Sequence, residues 1–265
     1  MALIHHVISG PKTRPVVVFV HGFSCDMSDW DSQVAQLSRR YRTVAVDLRG
    51  HGKSPGAAAD CSIERYGADV VELMRALSLP PAVLVGHSMG CRVVTEAALQ
   101  APASTAGVVL VDSNQFAPAM EAVLKEAFAA PNGFATLIDG MFRGMFHAKA
   151  DKATAAAVTA RALRMPRETG EKVMLDLQRY DAWRLTASYG CLRVPVMAIQ
   201  STYYNEQRER KWLGAGQMSL YLETLRGAIP SVRIEVIEET GHFPQLEEPA
   251  RTNAALESFL ASVFA

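Results

Sequence analysis

The strongest chemical signal in the chain is a serine flanked by glycines, in the pentapeptide GHSMG at 86–90. The apolar run AVLVGHS at 82–88 precedes it, and a stretch with apolar residues at helical spacing, 89–100, follows it. Glycines on both sides of a serine permit the tight, strained strand-to-helix turn that presents a nucleophile at the carboxyl edge of a sheet. The helix that follows directs its N-terminal dipole at that side chain. The motif therefore predicts Ser88 as a nucleophile.

A serine hydroxyl is a weak nucleophile near neutral pH and needs a base beside it. His242 is the best candidate, because it lies in a loop after the last apolar run, where it can reach a nucleophile at the edge of a sheet. The other histidines fit turns, the first strand or solvated positions. We therefore predict that His242 is the base that activates Ser88.

Three further motifs extend this pattern along the chain. HGF at 21–23 follows the first long apolar run, DLRGHGKS occupies 47–54, and GHFPQLEEP occupies 241–249. Together with the serine pentapeptide, they resemble the motifs of the α/β-hydrolase superfamily, and the resemblance covers nearly the whole chain.

The resemblance also implies where an oxyanion would be held. The negative charge that develops on an attacked carbonyl oxygen needs fixed donors, each of which contributes about 3 kcal/mol. In this family the donors are backbone N–H groups, one after the His-Gly pair and one after the nucleophile. These groups belong here to Phe23 and Met89.

The acid of a serine–histidine–acid triad is missing from its usual place. Members of the family commonly carry an aspartate in the loop after a strand such as VMAIQ, and this chain has Tyr204 at that position. The neighbouring Asn205 is neutral, and an amide does not stabilise an imidazolium as a carboxylate does. Glu206 is ionisable, but it lies among basic residues, where an exposed ion pair is worth under about 1 kcal/mol.

Asp112 offers a second solution, because it closes the apolar run GVVLVD at 107–112, directly after the nucleophile strand. Neighbouring strand ends lie about 5 Å apart, so a carboxylate there can approach the base from one strand over. Some branches of the superfamily, among them certain dehalogenases and the zearalenone-type lactonases, carry the acid at this point. An aspartate there can also simply cap a turn. We predict Asp112 as the acid, with Glu206 as the alternative and a dyad without an acid also open.

Short apolar runs alternate with amphipathic stretches through most of the chain, and four of these runs are nearly continuous, as expected for strands buried on both faces. The alternation predicts the α/β class, with a doubly wound, mostly parallel sheet. The predicted strands are 16–20, 43–47, 82–88, 107–112, 194–200 and 233–238, and the predicted helices are 28–40, 62–78, 89–100, 216–227 and 248–264.

Between about 115 and 190 only helical spacing is found, and this interval is too long for a simple crossover. We predict a helical cap at 115–190, inserted into a core domain formed by 1–114 and 191–265. Ligand sites are mostly apolar, and the cap is rich in methionine and aromatic residues. The side chains expected to line a pocket over the nucleophile are Met141, Met145, Phe146 and Trp183, with Tyr204 at the rim.

Composition excludes several kinds of partner. The 27 basic residues balance the 27 acidic ones, which removes the electrostatic case for a nucleic acid or an anionic membrane. No apolar segment approaches the roughly 18 residues that cross a bilayer, and no signal peptide is recognised. The mixed-sign run at 208–211 predicts a solvated helix start or loop.

The four cysteines are scattered, which favours reduced thiols, a cytoplasmic location and no metal site. No phosphate-binding glycine loop is found, so we expect no cofactor. The sequence does not indicate an oligomeric state.

The sequence therefore predicts a cofactor-free hydrolase that cleaves small or medium apolar carboxylic esters through an acyl-enzyme. A lactonase, or a hydrolase of carbon–carbon bonds in meta-cleavage products, would use the same residues and is the enzymatic alternative. A ligand receptor on the hydrolase scaffold is the alternative from another class, because the usual loop aspartate is absent.

Overall fold

One mostly parallel sheet organises the computed structural model, which describes residues 3–265. The strands are β1 (His6–Ser9), β2 (Val16–Val20), β3 (Arg42–Val46), β4 (Ala82–His87), β5 (Thr105–Val111), β6 (Val196–Gln200), β7 (Thr202–Tyr204), β8 (Arg210–Trp212) and β9 (Arg233–Val236). Within the described residues, seven strands form the sheet in the order β1-β3-β2-β4-β5-β6-β9, while β7 and β8 pair with each other. Only β1 joins the sheet in the antiparallel sense. The predicted α/β class is confirmed.

The central strands are apolar along their whole length because helices cover both faces of the sheet. Every residue of β2 is fully buried. Val16, Val18 and Val20 face one hydrophobic core, and the alternate residues Val17 and Phe19 face the other. This alternation follows from the two-residue period of a strand.

The helices are α1 (Asp31–Leu37), α2 (Ile63–Ala76), α3 (Met89–Gln100), α4 (Met120–Ala129), α5 (Gly133–Arg143), α6 (Lys152–Ala162), α7 (Arg167–Trp183), α8 (Leu185–Cys191), α9 (Leu220–Ala228), α10 (Pro244–Glu247) and α11 (Pro249–Val263). Buried residues of α1 and α11 belong to one core, and those of α2, α3 and α9 belong to the other. The five helices α4 to α8 fill the interval between β5 and β6, as the sequence predicted for 115–190. None of the helices described is long and apolar enough to cross a membrane.

The last of these five helices packs on the sheet layer. The hydroxyl of Tyr189 in α8 lies 2.9 Å from the hydroxyl of Tyr221 in α9, and both rings are buried.

The side-chain carboxylate of Asp151 caps α6 by accepting a hydrogen bond from the backbone N–H of Thr154 at 2.7 Å.

The mixed-sign run at 208–211 is a solvated loop, as its composition predicted, only in its first half, where Arg208 and Glu209 are exposed before β8. Arg210 and Lys211 belong to β8, and Tyr204 of β7 pairs with Arg210 across the hairpin. The side chain of Arg210 is only 9% exposed. Composition failed here because the pairing with β7 turns this one charged side chain inward.

Candidate active site

Ser88 lies at the turn between β4 and α3, with φ of 53° and ψ of −115°, a conformation that a non-glycine residue rarely adopts. The flanking glycines make this turn sterically possible. A Cβ atom on Gly86 would lie 2.2 Å from the carbonyl oxygen of Gly90, and one on Gly90 would lie 2.5 Å from that of Val20. The strained turn lifts Ser88 into a cleft at the carboxyl edge of the sheet.

His242 and Asp112 form a short, buried hydrogen bond. Nδ1 of His242 lies 2.6 Å from Oδ2 of Asp112, and the two side chains are 4% and 0% exposed. The backbone N–H of His242 donates to the carbonyl oxygen of Met145 at 2.6 Å, and the carbonyl oxygen of His242 accepts from Nε2 of His87 at 2.7 Å. The loop is therefore fixed from both sides, and His242 lines the same cleft as Ser88.

The carboxylate of Asp112 is held by a set of donors from the residues just after β6. Its Oδ1 accepts hydrogen bonds from the backbone N–H groups of Ser201 at 2.8 Å and Thr202 at 2.7 Å, and from the Ser201 hydroxyl at 3.0 Å. Its Oδ2 accepts from the Thr202 hydroxyl at 2.6 Å. Burial raises the pKa of Asp112, but the hydrogen bond and charge of His242 and the charge of Arg210 outweigh it, and the net pKa is lowered. The group is an ionised carboxylate.

Arg210 is the second charged group beside the imidazole. Its Nη1 donates to the hydroxyl of Thr202 at 2.7 Å and lies 3.7 Å from Oδ2 of Asp112. Its Nη2 donates to the hydroxyl of Tyr204 at 2.8 Å, and the guanidinium stacks over the Tyr204 ring at 4.7 Å. Arg210 was not predicted as a site residue, because a run of mixed charges usually marks a surface.

The two neighbours of Nδ1 of His242 settle which nitrogen carries the proton. The carboxylate of Asp112 can only accept, so at 2.6 Å the imidazole must donate from Nδ1. Nη1 of Arg210, 3.1 Å away, then faces an N–H group rather than a lone pair. Burial and the charge of Arg210 lower the pKa of His242 to about 4, although Asp112 acts in the opposite direction. At neutral pH the imidazole is therefore uncharged, with its lone pair on Nε2.

The loop after β2 lies directly against the nucleophile. A Cβ atom on Gly22 would lie 3.0 Å from Nδ1 of His87 and 3.2 Å from Cβ of Ser88, so a larger residue here would press on both side chains. The ring of His21 fixes the loop, because Nδ1 lies 2.7 Å from the carbonyl oxygen of Gly22 and Nε2 accepts from the backbone N–H of Leu48 at 3.0 Å. Phe23 follows Gly22 and lines the cleft.

Met89 is the first residue of α3, and the first backbone N–H groups of a helix have no partner within the helix. The two backbone positions predicted for an oxyanion hole, Phe23 and Met89, therefore flank Ser88 on adjoining segments.

The cleft over Ser88 has a cavity volume of about 50 Å³ and is mostly apolar. Its walls come from the loop after β2, the nucleophile turn, the helices α5 and α7, the hairpin and the His242 loop. The lining residues are Gly22, Phe23, Cys25, His87, Ser88, Arg92, Asn114, Phe116, Met141, Phe142, Met145, Met174, Leu177, Tyr204, Arg210, His242 and Phe243. Met141, Met145 and Tyr204 are therefore in the cleft, as the sequence predicted.

Two of the residues expected in the pocket lie elsewhere. Trp183, at the end of α7, is 80% exposed. It follows Leu177, which does line the cleft, by six positions, and this turns it about 240° around the helix axis. Phe146 stands behind the lining, where its ring stacks on Phe243 at 4.9 Å. Both predictions were wrong, because residue type reveals neither the rotation of α7 about its axis, which exposes Trp183, nor the course of the bend after α5, in which Phe146 lies.

The two candidate acids have very different surroundings. Asp112 is fully buried beside His242, whereas Glu206 lies exposed in the turn between β7 and β8. The loop in which the family usually carries the acid supplies instead the donors Ser201, Thr202 and Arg210, all of which lie around Asp112.

Arg92, also missed in the sequence analysis, ties the nucleophile turn to α7. This buried side chain donates from Nη1 to the carbonyl oxygen of Ser88 at 3.0 Å and to the hydroxyl of Ser113 at 2.5 Å. Its Nη2 donates to the carbonyl oxygen of Asn114. It also forms a double hydrogen bond with Asp181, at 2.8 Å and 2.6 Å. A charged residue within the otherwise apolar start of α3 was the signal that could have revealed it.

Within residues 3–265, no group of three or more His, Cys, Asp or Glu side chains is arranged to hold a metal ion. The four cysteines, Cys25, Cys61, Cys91 and Cys191, are free thiols. Burial raises the pKa of Cys25, the one that lines the cleft, well above its ordinary value, so this thiol is protonated.

This fold is that of the α/β hydrolases. Residues 17–255 match the model of the alpha/beta hydrolase family, and the chain belongs to that family. One relative, the sn-1-specific diacylglycerol lipase ABHD11 of Mus musculus, is 26% identical over an alignment 273 residues long. The alignment covers 98% of this chain and 86% of the lipase.

Two solved structures show the same fold. The enol-lactonase from Burkholderia xenovorans LB400 gives a TM-score of 0.83 at 22% identity and covers 97% of this chain and 96% of its own. A thermophilic esterase from Thermogutta terrifontis gives a TM-score of 0.79 at 21% identity, with 99% and 94% covered. The curated lipase and these two enzymes differ in the reactions that their names state, so membership of the family leaves the substrate to be argued from the site.

Proposed function

We propose that the protein is a cofactor-free serine hydrolase that cleaves carboxylic esters through an acyl-enzyme. The observation that carries this proposal is the hydrogen bond of 2.6 Å between His242 and Asp112, in a loop that lines the same cleft as the strained Ser88. A buried, ionised carboxylate that accepts from Nδ1 leaves the lone pair of Nε2 free to take a proton.

The first half of the reaction forms the acyl-enzyme. Oγ of Ser88 attacks the ester carbonyl carbon while its proton passes to Nε2 of His242. The carbonyl oxygen becomes an oxyanion, which the backbone N–H groups of Phe23 and Met89 stabilise. The intermediate collapses, the bond to the alcohol oxygen breaks, and the imidazolium returns the proton to the departing alcohol.

The second half repeats these steps with water. His242 takes a proton from a water molecule, and the hydroxide attacks the acyl carbon. Collapse of the second intermediate returns the proton to Oγ of Ser88 and releases the carboxylic acid. Asp112 stays ionised throughout and stabilises the imidazolium in each half.

We assign the role of a cap to α4 through α7. Met141 and Phe142 of α5 and Met174 and Leu177 of α7 form the apolar roof of the cleft. A cavity of about 50 Å³ suits a small acyl group. A lactone is an ester closed into a ring, so the same residues would open one.

Labelling and kinetics test this proposal together. We expect a fluorophosphonate probe to label Ser88, and wild type to hydrolyse p-nitrophenyl butyrate. Ser88→Ala should lose both properties, whereas Ser32→Ala, which changes an exposed serine of α1, should keep them. If wild type is neither labelled nor active, the proposal is wrong and the receptor alternative gains support.

A further inference from the structure

The charged groups that line the cleft are unevenly balanced. Within the described residues, two arginines, Arg92 and Arg210, contribute to its walls, and no aspartate or glutamate does. The two lining histidines, His87 and His242, are neutral at pH 7, because burial lowers the pKa of each. Both charged side chains in the wall of the cleft are therefore cations, and what each can bind depends on its partners behind the wall.

Arg92 has little capacity left to bind a ligand. All three of its nitrogens donate within the protein: Nε and Nη2 to Asp181, Nη1 to the carbonyl oxygen of Ser88 and to Ser113, and Nη2 also to Asn114. Its charge is neutralised directly by Asp181, whose side chain is 0% exposed.

Arg210 differs in both respects. A guanidinium has five N–H donors, and those of Arg210 reach two acceptors in the described part of the chain, the hydroxyls of Thr202 and Tyr204. Its nearest carboxylate is Asp112, at 3.7 Å, and that carboxylate already accepts from His242, Ser201 and Thr202. Arg210 thus combines unused donors, a shared counter-ion and a place in the wall of the cleft.

We propose that Arg210 binds a carboxylate of the substrate, so that the preferred substrates are esters that carry a second, ionised carboxyl group. Arginine is suited to this role because its planar guanidinium presents two parallel N–H groups to a carboxylate. The inference rests on the proposed function, since it names the substrate class of the same site.

A bound carboxylate would also help the proposed reaction. In the free site, Asp112 and Arg210 sum to zero charge beside a neutral imidazole. When His242 takes the proton of Ser88, the carboxylate of Asp112 must balance two cations, the imidazolium of His242 and the guanidinium of Arg210. An anionic group on Arg210 restores the balance and favours the imidazolium, which is the state in which the reaction passes through its barrier.

Matched substrate pairs test the inference. Monoethyl glutarate and ethyl pentanoate have acyl chains of equal length, and one ends in a carboxylate and the other in a methyl group. 4-Acetoxybutanoate and butyl acetate differ in the same way on the alcohol side. We expect kcat/KM to favour the anionic member of one pair by roughly 10- to 100-fold, as for a hydrogen bond between charged groups. The pair that shows the preference identifies which half of the substrate meets Arg210.

The ratio within a pair, rather than the activity itself, is the readout. Arg210→Gln should bring the anionic-to-neutral ratio to about one, and Arg210→Lys should restore part of it, because lysine keeps the charge but loses the planar pair of donors. Lys211→Gln removes an exposed charge from the next residue of β8 and should leave the ratio at the wild-type value. A wild-type ratio near one in both pairs, or an unchanged ratio in Arg210→Gln, overturns the inference.

A binding measurement separates this inference from the proposed function. Calorimetry on Ser88→Ala should show that monoethyl glutarate or 4-acetoxybutanoate binds roughly 10- to 100-fold more tightly than its neutral counterpart. The added Arg210→Gln change should abolish this difference in affinity. If the protein hydrolyses no ester but this difference is found, the carboxylate site stands and the proposed reaction fails. If esters are hydrolysed and no difference in affinity is found, the proposed reaction stands and the carboxylate site fails.

Discussion

Nη1 of Arg210 lies 3.1 Å from Nδ1 of His242, at the same ring nitrogen that donates to Asp112. The cation comes from β8 and the carboxylate from the end of β5, so two different segments of the chain place opposite charges at one ring nitrogen. The pKa of His242 therefore depends on both charges, because Asp112 raises it and Arg210 lowers it.

The pH dependence of activity should respond to Arg210. Only the neutral imidazole can act as a base, so activity falls as the pH drops through the pKa of His242, which burial and Arg210 lower to about 4. Removal of the cation in Arg210→Gln raises that pKa, and the acid limb of kcat/KM should move to higher pH by about one unit or more. The measurement is the kcat/KM of p-nitrophenyl butyrate between pH 4 and 8.

The groups that remain around His242 in this variant are Asp112, His87 and Arg92, so the shift reports Arg210 alone. Lys211→Gln serves as the matched control, and its acid limb should coincide with that of wild type. A variant that lost activity equally at all pH values would show that Arg210 acts only by holding Thr202 and Asp112 in place.

Stability should decrease in mild acid because four histidines are buried in their neutral form. Burial lowers the pKa of His21 to about 4, of His51 to about 3, of His242 to about 4, and of His87 well below its ordinary value. In the unfolded chain these groups take up protons below a pKa of about 6.5, so the unfolded state binds more protons as the pH falls. Each of His21, His51 and His242 then costs on the order of 2 kcal/mol of unfolding free energy at pH 5, and His87 acts in the same direction.

Urea unfolding at pH 7.5, 6 and 5 measures this effect. We expect the loss to begin below about pH 6.5 and to deepen toward pH 4. His51→Asn removes one of the four groups and should make the decline shallower, since His51 takes no part in the proposed chemistry. A free energy of unfolding that did not change between pH 7.5 and 5 would contradict the burial of neutral imidazoles.

Asp112→Asn tests the assignment of the acid. An asparagine can keep the hydrogen bonds that Oδ1 accepts from the backbone N–H groups of Ser201 and Thr202. Its NH2 group cannot accept from Nδ1 of His242, so it neither selects the tautomer with a proton on Nδ1 nor stabilises the imidazolium. We expect kcat/KM on p-nitrophenyl butyrate to fall by roughly 10⁴-fold. Circular dichroism checks that the variant folds. Glu206→Gln is the control and should keep wild-type activity; the opposite result for the two variants would transfer the acid to Glu206.

The parts of the site that the sequence predicted are those that strand ends position. Ser88 and Asp112 directly follow β4 and β5, so the recognition of two buried strands was enough to bring their Cα atoms to the same edge of the sheet. His242 lies six residues beyond the end of β9, in the loop that follows the last strand. For these residues the local pattern and the topology determine the place together.

The parts that could not be predicted depend on tertiary packing. Trp183 and Leu177 lie on the same helix, and only the packing of α7 decides which one faces the cleft. Arg210 reaches Asp112 because of the register of a short hairpin, in which Tyr204 pairs with Arg210 and Thr202 with Trp212. A shift of one residue would send the guanidinium to the other face, and nothing in a run of mixed charges specifies that register.

The buried ion pair between Arg92 and Asp181 should matter more for positioning than for stability. Arg92→Met leaves Asp181 without a counter-ion in the interior, and we expect a loss of about 3–5 kcal/mol in unfolding free energy. The double variant Arg92→Met/Asp181→Leu removes both charges and should recover most of that loss, because the replacement of a buried pair by apolar residues is often close to neutral.

Activity should not recover with stability in the double variant. Arg92 also holds the carbonyl oxygens of Ser88 and Asn114, while Oδ2 of Asp181 accepts from the backbone N–H of Phe116 at 2.9 Å. Both variants therefore lose the contacts that fix the nucleophile turn and the wall of the cleft, and kcat/KM should stay at least about 10-fold below wild type. Urea unfolding and p-nitrophenyl butyrate kinetics on the same preparations decide the matter. A double variant that regained full activity would show that Arg92 and Asp181 only neutralise each other's charge and that other contacts position Ser88.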